Sequence, residues 1–152
     1  MIALALLVQA VAPAPPGPQP QIAWACEMQA PDGTKFQLAG KITGGLLPPG
    51  ESDPAKLTRR LATVSTDTSG RLSGTIGSPY LYASWKGEGY FSLSLPAPGD
   101  RYTLALQLFE NGRRGLAHLT LGNPQPKEAL GIGYCISKWQ GAGRPQSEKK
   151  KP

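Results

Sequence analysis

The residue types able to carry covalent or acid–base chemistry are few in this chain, and their spacing keeps them apart. His118 is the only histidine, and a catalytic triad needs such a base to touch a nucleophile and be oriented by a carboxylate. Hairpin alternation around Asn111-Gly112 sets His118 in mid-strand, opposite Ala105 and flanked by Thr103 and Thr120, away from the leucine face. No GxSxG elbow occurs. Among the acids, Asp32, Asp67, Glu88 and Asp100 fall in turn sequences, where a solvated turn role is expected. Glu27 alone is mid-strand on the outer face, whereas glycoside hydrolysis uses two carboxylates about 5–9.5 Å apart. Two cysteines and one histidine offer neither a CxxC pair nor four zinc ligands, and P-loop, EF-hand and GxGxxG patterns are absent. No catalytic residue, metal ligand or cofactor is therefore assigned. The expected function is non-enzymatic binding, with a hydrolase using an unrecognised site as the last alternative.

Recognition has better candidates. Tyr80, Tyr82 and Tyr90 share the outer face of one expected hairpin with Lys86 and with Ser84, Ser92 and Ser94. Rigid amphipathic rings among serines bury area at little entropic cost, although tyrosine also simply suits a half-exposed strand. A second possibility is a lumen lined by Trp24, Trp85, Phe36 and Phe91, which would make the protein a carrier for a small apolar ligand. The formal net charge is +6, but Arg59-Arg60, Arg113-Arg114 and Lys149-Lys150-Lys151 lie apart, with no stripe interleaved with aromatics. That distribution argues against nucleic acid and for an unknown protein or an anionic envelope component.

The opening run Met-Ile-Ala-Leu-Ala-Leu-Leu-Val is too short to span a bilayer. It resembles the end of a signal peptide with a small-x-small site at Val8-Gln9-Ala10, although no basic residue precedes it. Residues 1–10 are read as that signal, and 11–20, with five prolines between 13 and 20, as an extended linker. Residues 21–139 form one β-domain, and 140–152 a disordered basic tail. Cys26 and Cys135 make one pair with none left over. In an oxidising compartment they form a disulfide worth on the order of 4–5 kcal/mol by chain entropy; two buried thiols are the alternative. The expected location is periplasmic or secreted, with nothing spanning the membrane.

The elements that must position these residues are strands. Glycine (19) and proline (16) are abundant and hydrophobic residues make up 39%, enough for a modest core in one domain. The only helical candidate, 52–61, is a two-turn connector. Elsewhere apolar residues alternate with period two between glycine turns, the pattern of antiparallel strands with one buried face.

Each turn sets a register. Asn111-Gly112 pairs Leu106 with Ala117, Leu104 with Leu119 and Tyr102 with Leu121. Pro31-Asp32-Gly33 pairs Met28 with Phe36, Cys26 with Leu38, Trp24 with Gly40 and Ile22 with Ile42. Thr68-Ser69-Gly70 pairs Thr66 with Leu72, Val64 with Gly74 and Ala62 with Ile76. Gly87-Glu88-Gly89 pairs Trp85 with Phe91, Ala83 with Leu93 and Leu81 with Leu95; a two-residue turn there would mix Phe91 and Leu93 with Ser84 and Tyr82. Ala97-Pro98-Gly99-Asp100 then links Leu95 to Tyr102. A last strand runs over about 131–138, giving nine strands.

This predicts an all-β fold, an antiparallel closed or nearly closed barrel of 8–9 strands, with a two-sheet sandwich as the alternative. The architecture is similar to a lipocalin-type barrel in size, disulfide and strand count. The GxW signature is missing, however, at Ile22-Ala23-Trp24. One conflict stays open: Cys26 shares the inner face with Trp24 and Met28, yet Cys135 alternates away from Ile132, Tyr134 and Ile136. Either Gly131 or Gly133 forms a bulge that resets the phase, or the last strand is buried on both faces.

Overall fold

Period-two alternation closes on itself here. In the computed structural model, which describes residues 21–45, 53, 60–72, 75–85 (backbone only at 82–85), 87–122 and 125–140, every strand pairs with its sequence neighbours and the last returns to the first. The strands are β1 (Gln21–Gln29), β2 (Lys35–Thr43), β3 (Leu61–Asp67), β4 (Ile76–Trp85), β5 (Glu88–Ala97), β6 (Asp100–Phe109), β7 (Gly115–Leu121) and β8 (Glu128–Gln140). They form a closed antiparallel barrel in sequence order; the sandwich alternative is not formed. The signal, the linker, the basic tail beyond Gln140 and all but Asp53, Arg60 and Leu61 of the helical connector lie outside the described residues.

The interior is a side-chain core. Ile22, Trp24, Leu38, Ile42, Val64, Phe91, Leu93, Leu95, Leu104, Leu108 and Leu119 are all buried, each worth roughly 1.5–3 kcal/mol or more relative to exposure. The β1–β2 and β6–β7 registers are the ones the turns predict, with Trp24 opposite Gly40 and Leu104 opposite Leu119. Gly40 is a requirement of packing: a Cβ there would lie 1.9 Å from the Thr63 carbonyl oxygen and 2.7 Å from the Trp24 ring. The link from Leu95 to Tyr102 also holds.

Two hairpins differ from the reading above. Trp85 pairs with Glu88 and Ser84 with Gly89, which leaves only two residues between the strands, with Gly87 at φ +81°. The register then shifts between Leu81 and Ala83, so that Leu81 opposes Phe91 rather than Leu95. The extra residue in β4 resets the phase that a two-residue turn would otherwise spoil, as a bulge does. Phe91 in turn fills the gap over Gly89, where a Cβ would lie 2.6 Å from its ring.

The second difference follows Asp67: none of the described residues between 68 and 75 lies in a strand. Asp67 turns inward and is buried rather than solvated. Its Oδ1 accepts from the Ser69 backbone N–H (2.8 Å) and hydroxyl (2.6 Å), and its Oδ2 from the Leu72 N–H. That cap folds fully buried Leu72 against the core, and β4 starts only at Ile76, with Ala62 opposite Gly77 rather than Ile76. The strand expected to pair with 62–66 across that turn is not formed among the described residues, which hold eight strands and not nine.

Cys26 and Cys135 face each other across β1 and β8 and are disulfide-bonded, 109 residues apart in sequence. The bond therefore staples the seam at which the barrel closes. Both cysteines are buried. The phase conflict at β8 resolves in neither of the anticipated ways. Gly131, Gly133, Cys135 and Ser137 are the inward positions, while Ile132, Tyr134 and Ile136 point outward and are exposed. The one irregularity in β8 is at Leu130, between the pairs Leu119–Gly131 and Thr120–Ala129, and it leaves residues 132–136 in phase.

Candidate functional site

The outer surface falls into two contrasting parts. Over β5 and β6 it is polar and cross-linked by side chains, with one bond reaching the backbone of β7. Gln107 Nε2 donates to Glu88 Oε1 (2.6 Å) and to the Tyr90 hydroxyl (3.1 Å), while Gln107 Oε1 accepts from the Leu116 N–H (3.2 Å). The Tyr90 hydroxyl also donates to Glu88. That bond raises the tyrosine above its ordinary value and, with the Gln107 amide, holds the Glu88 carboxyl below its own. Arg101 Nε donates to Ser94 Oγ (2.5 Å), covering that serine.

Of the residues singled out for recognition, Tyr80 and Tyr90 are both exposed on this outer surface, with Tyr80 opposite Ser92. Tyr90 is engaged with Glu88 and Gln107. The side chain of Tyr82, at the register shift, and Lys86 lie outside the described residues. His118 is exposed between Ala105 and Ile132. Among the described residues no group of three or more His, Cys, Asp or Glu is placed to hold a metal ion. Of the aromatics considered for a lumen, Trp24, Phe36 and Phe91 are core residues, and Trp85 pairs with Glu88.

Over β7, β8, β1 and β2 the surface is different. Leu116 (51% exposed), Ile132 (59%), Tyr134 (56%) and Ile136 (53%) form a ridge of large apolar side chains. Register places them in rows on the outer face: Leu116–Tyr134–Glu27–Gln37 in one and Ile136–Ala25–Ala39 in the next. The alanines of β1 and β2 are too short to match the ridge beside them. The result is a depression of about 260 Å³ whose lining includes Ala25, Glu27, Ala39, Arg114, Tyr134 and Ile136. The disulfide lies directly beneath, since Cys26 separates Ala25 from Glu27 and Cys135 separates Tyr134 from Ile136.

The alternation that sets His118 outward does the same for Leu116 two residues before it, but periodicity alone does not reveal the rest of this ridge. The signal was available: a Cys135 bonded to an inward Cys26 must itself point inward, which sends positions 132, 134 and 136 to the surface. Comparison with known protein families, with curated proteins and with solved structures finds no match for the chain.

Proposed function

We propose that this protein is a non-enzymatic, disulfide-stapled binding module of an oxidising compartment such as the periplasm, and that it recognises its partner through the outer face of β7, β8, β1 and β2. The observation that carries the reading is the ridge of Leu116, Ile132, Tyr134 and Ile136 beside the alanine-floored depression. Scattered exposed apolar residues are ordinary, but a contiguous patch of a few hundred Å² on a polar exterior marks an interaction surface. A disulfide at the seam is compatible with export. The apolar interior and the mostly polar exterior invert the arrangement of a membrane-spanning barrel, whose outer band is apolar and whose lumen is polar.

The tyrosine face around Tyr80 and Tyr90, to which the sequence adds Tyr82 and Lys86 as candidates, is the second surface on which such a module can bind, but Tyr90 already spends its hydroxyl on Glu88. A lumen carrier has one observation in its favour: the Trp24 indole N–H is buried without a hydrogen-bond partner among the described residues. Its ring, however, is packed against Gly40 within the core.

Site-specific photo-crosslinking in intact cells tests the reading, with the reactive side chain at position 134, 80 or 105 in turn. Adducts from 134 that disappear when Ala25→Arg fills the depression are expected. Equal yields from 134 and 105, or adducts from 80 alone, would overturn it.

A further inference from the structure

Resting on that reading of the face, we infer that its occupant is a second copy of this chain, docked about a two-fold axis that runs along the strands between β8 and β1. A two-fold interface must be self-complementary: if residue i meets residue j, then j meets i. Ile136 and Tyr134 of the ridge satisfy this, because each lies across one line from a residue of the depression and in the same row. Ile136 is opposite Ala25, and Tyr134 is opposite Glu27. Rotation by 180° about that line exchanges β8 of one copy with β1 of the other. Each Ile136 then enters the Ala25–Ala39 depression of its neighbour, and each Tyr134 hydroxyl meets a Glu27 carboxylate as donor to acceptor.

Charge supports the same occupant. Each chain carries +6, so two copies repel unless they meet where the surface is balanced. The charged residues lining the depression are Glu27 and Arg114, one of each sign. The rotation carries Arg114, beside β7 at the edge of the patch, over to the β2 side of the neighbour, one strand from its Glu27. Each copy thus brings a cation towards the anion of the other.

Area sets the strength. Four large side chains, each more than half exposed, offer roughly 400–500 Å² of apolar surface per copy. With the floor and rim, the total buried area is roughly 1,000–1,200 Å², the scale of reversible interfaces. Association is therefore concentration-dependent, with a Kd in the micromolar range.

Sedimentation velocity on the oxidised protein from about 1 to 200 µM, a span that brackets micromolar affinity, is the test. The weight-average mass should rise from one chain towards two. Ala25→Arg should weaken association at least tenfold while keeping the circular dichroism spectrum and the disulfide; Ala105→Arg, outward on β6, should leave it unchanged. A wild-type protein monomeric throughout, or a dimer indifferent to Ala25→Arg, overturns the inference. If the protein stays monomeric but position 134 still gives Ala25-dependent adducts with a different protein, the binding face stands and only its occupant changes. If neither is seen, both readings fall.

Discussion

Strands β5 and β6 bury Phe91, Leu93, Leu95, Leu104, Leu106 and Leu108 and turn Tyr90, Ser92, Thr103 and Gln107 outward. Strand β8 buries Gly131, Cys135 and Ser137, keeps Gly133 half-buried on the same inner face, and turns Ile132, Tyr134 and Ile136 outward. The same period of two runs through both regions, and the polarity of the faces is opposite. The difference is one of volume. On the seam side, the space inside β8 is taken by its neighbours. A Cβ on Gly131 would lie 2.7 Å from the Phe36 ring, and one on Gly133 would lie 1.9 Å from the Glu27 carbonyl oxygen. Together with the disulfide, these close approaches leave no room inside β8 for branched side chains. The apolar residues of that strand stand on the outside because the inside is already full.

Replacing equivalent apolar residues in the two regions breaks or sharpens this contrast. Leu104→Ala, fully buried opposite Leu93 and Leu119, should cost about 2–5 kcal/mol of unfolding free energy in denaturant titration. Ile136→Ala on β8, more than half exposed, should cost no more than about 0.5 kcal/mol. Comparable losses at the two positions would mean that Ile136 is a core residue and that the two regions obey one rule.

Acid should separate the regions by a smaller margin. At the hairpin end of the β5–β6 side, Lys127 Nζ bonds Asp100 at 2.7 Å and, with the Arg101 N–H, holds that carboxyl below its ordinary 3.8. Glu88 is likewise held below 4.5, by Tyr90 first and Gln107 second. Groups whose folded values are depressed stabilise the native state fully above their ordinary values, and that contribution is lost as pH falls through the depressed ones. Thermal melts below about pH 4.5 should therefore show Lys127→Met losing stability less steeply with acid than the parent, the surface pair being worth little in absolute terms. An identical slope would remove Asp100 from the account.

The extent to which the sequence revealed this molecule follows the turn chemistry. Where a loop fixed its own geometry, as at Asn111-Gly112 and Pro31-Asp32-Gly33, the register followed residue by residue. Between Trp85 and Glu88 two departures compensate: the connection is shorter than the sequence predicts, and a register shift between Leu81 and Ala83 restores the faces. After Thr66 a buried carboxylate, Asp67, ties down Ser69 and Leu72, and no periodicity announces that. The tyrosine candidates came from composition on a face. The seam ridge required combining a disulfide with a phase, because on polarity alone Ile132, Tyr134 and Ile136 read as core.

The direction of the β8 side chains is what everything about the seam depends on, and nuclear Overhauser contacts report it directly. Contacts of the Ile136 methyls with the Ala25 methyl, and of the Tyr134 ring with Leu116, should appear together with contacts between the Cys26 and Cys135 β-protons. Contacts of Ile136 with the Trp24 indole or with Leu38 would instead place it inside the barrel, and the proposed binding face would not exist.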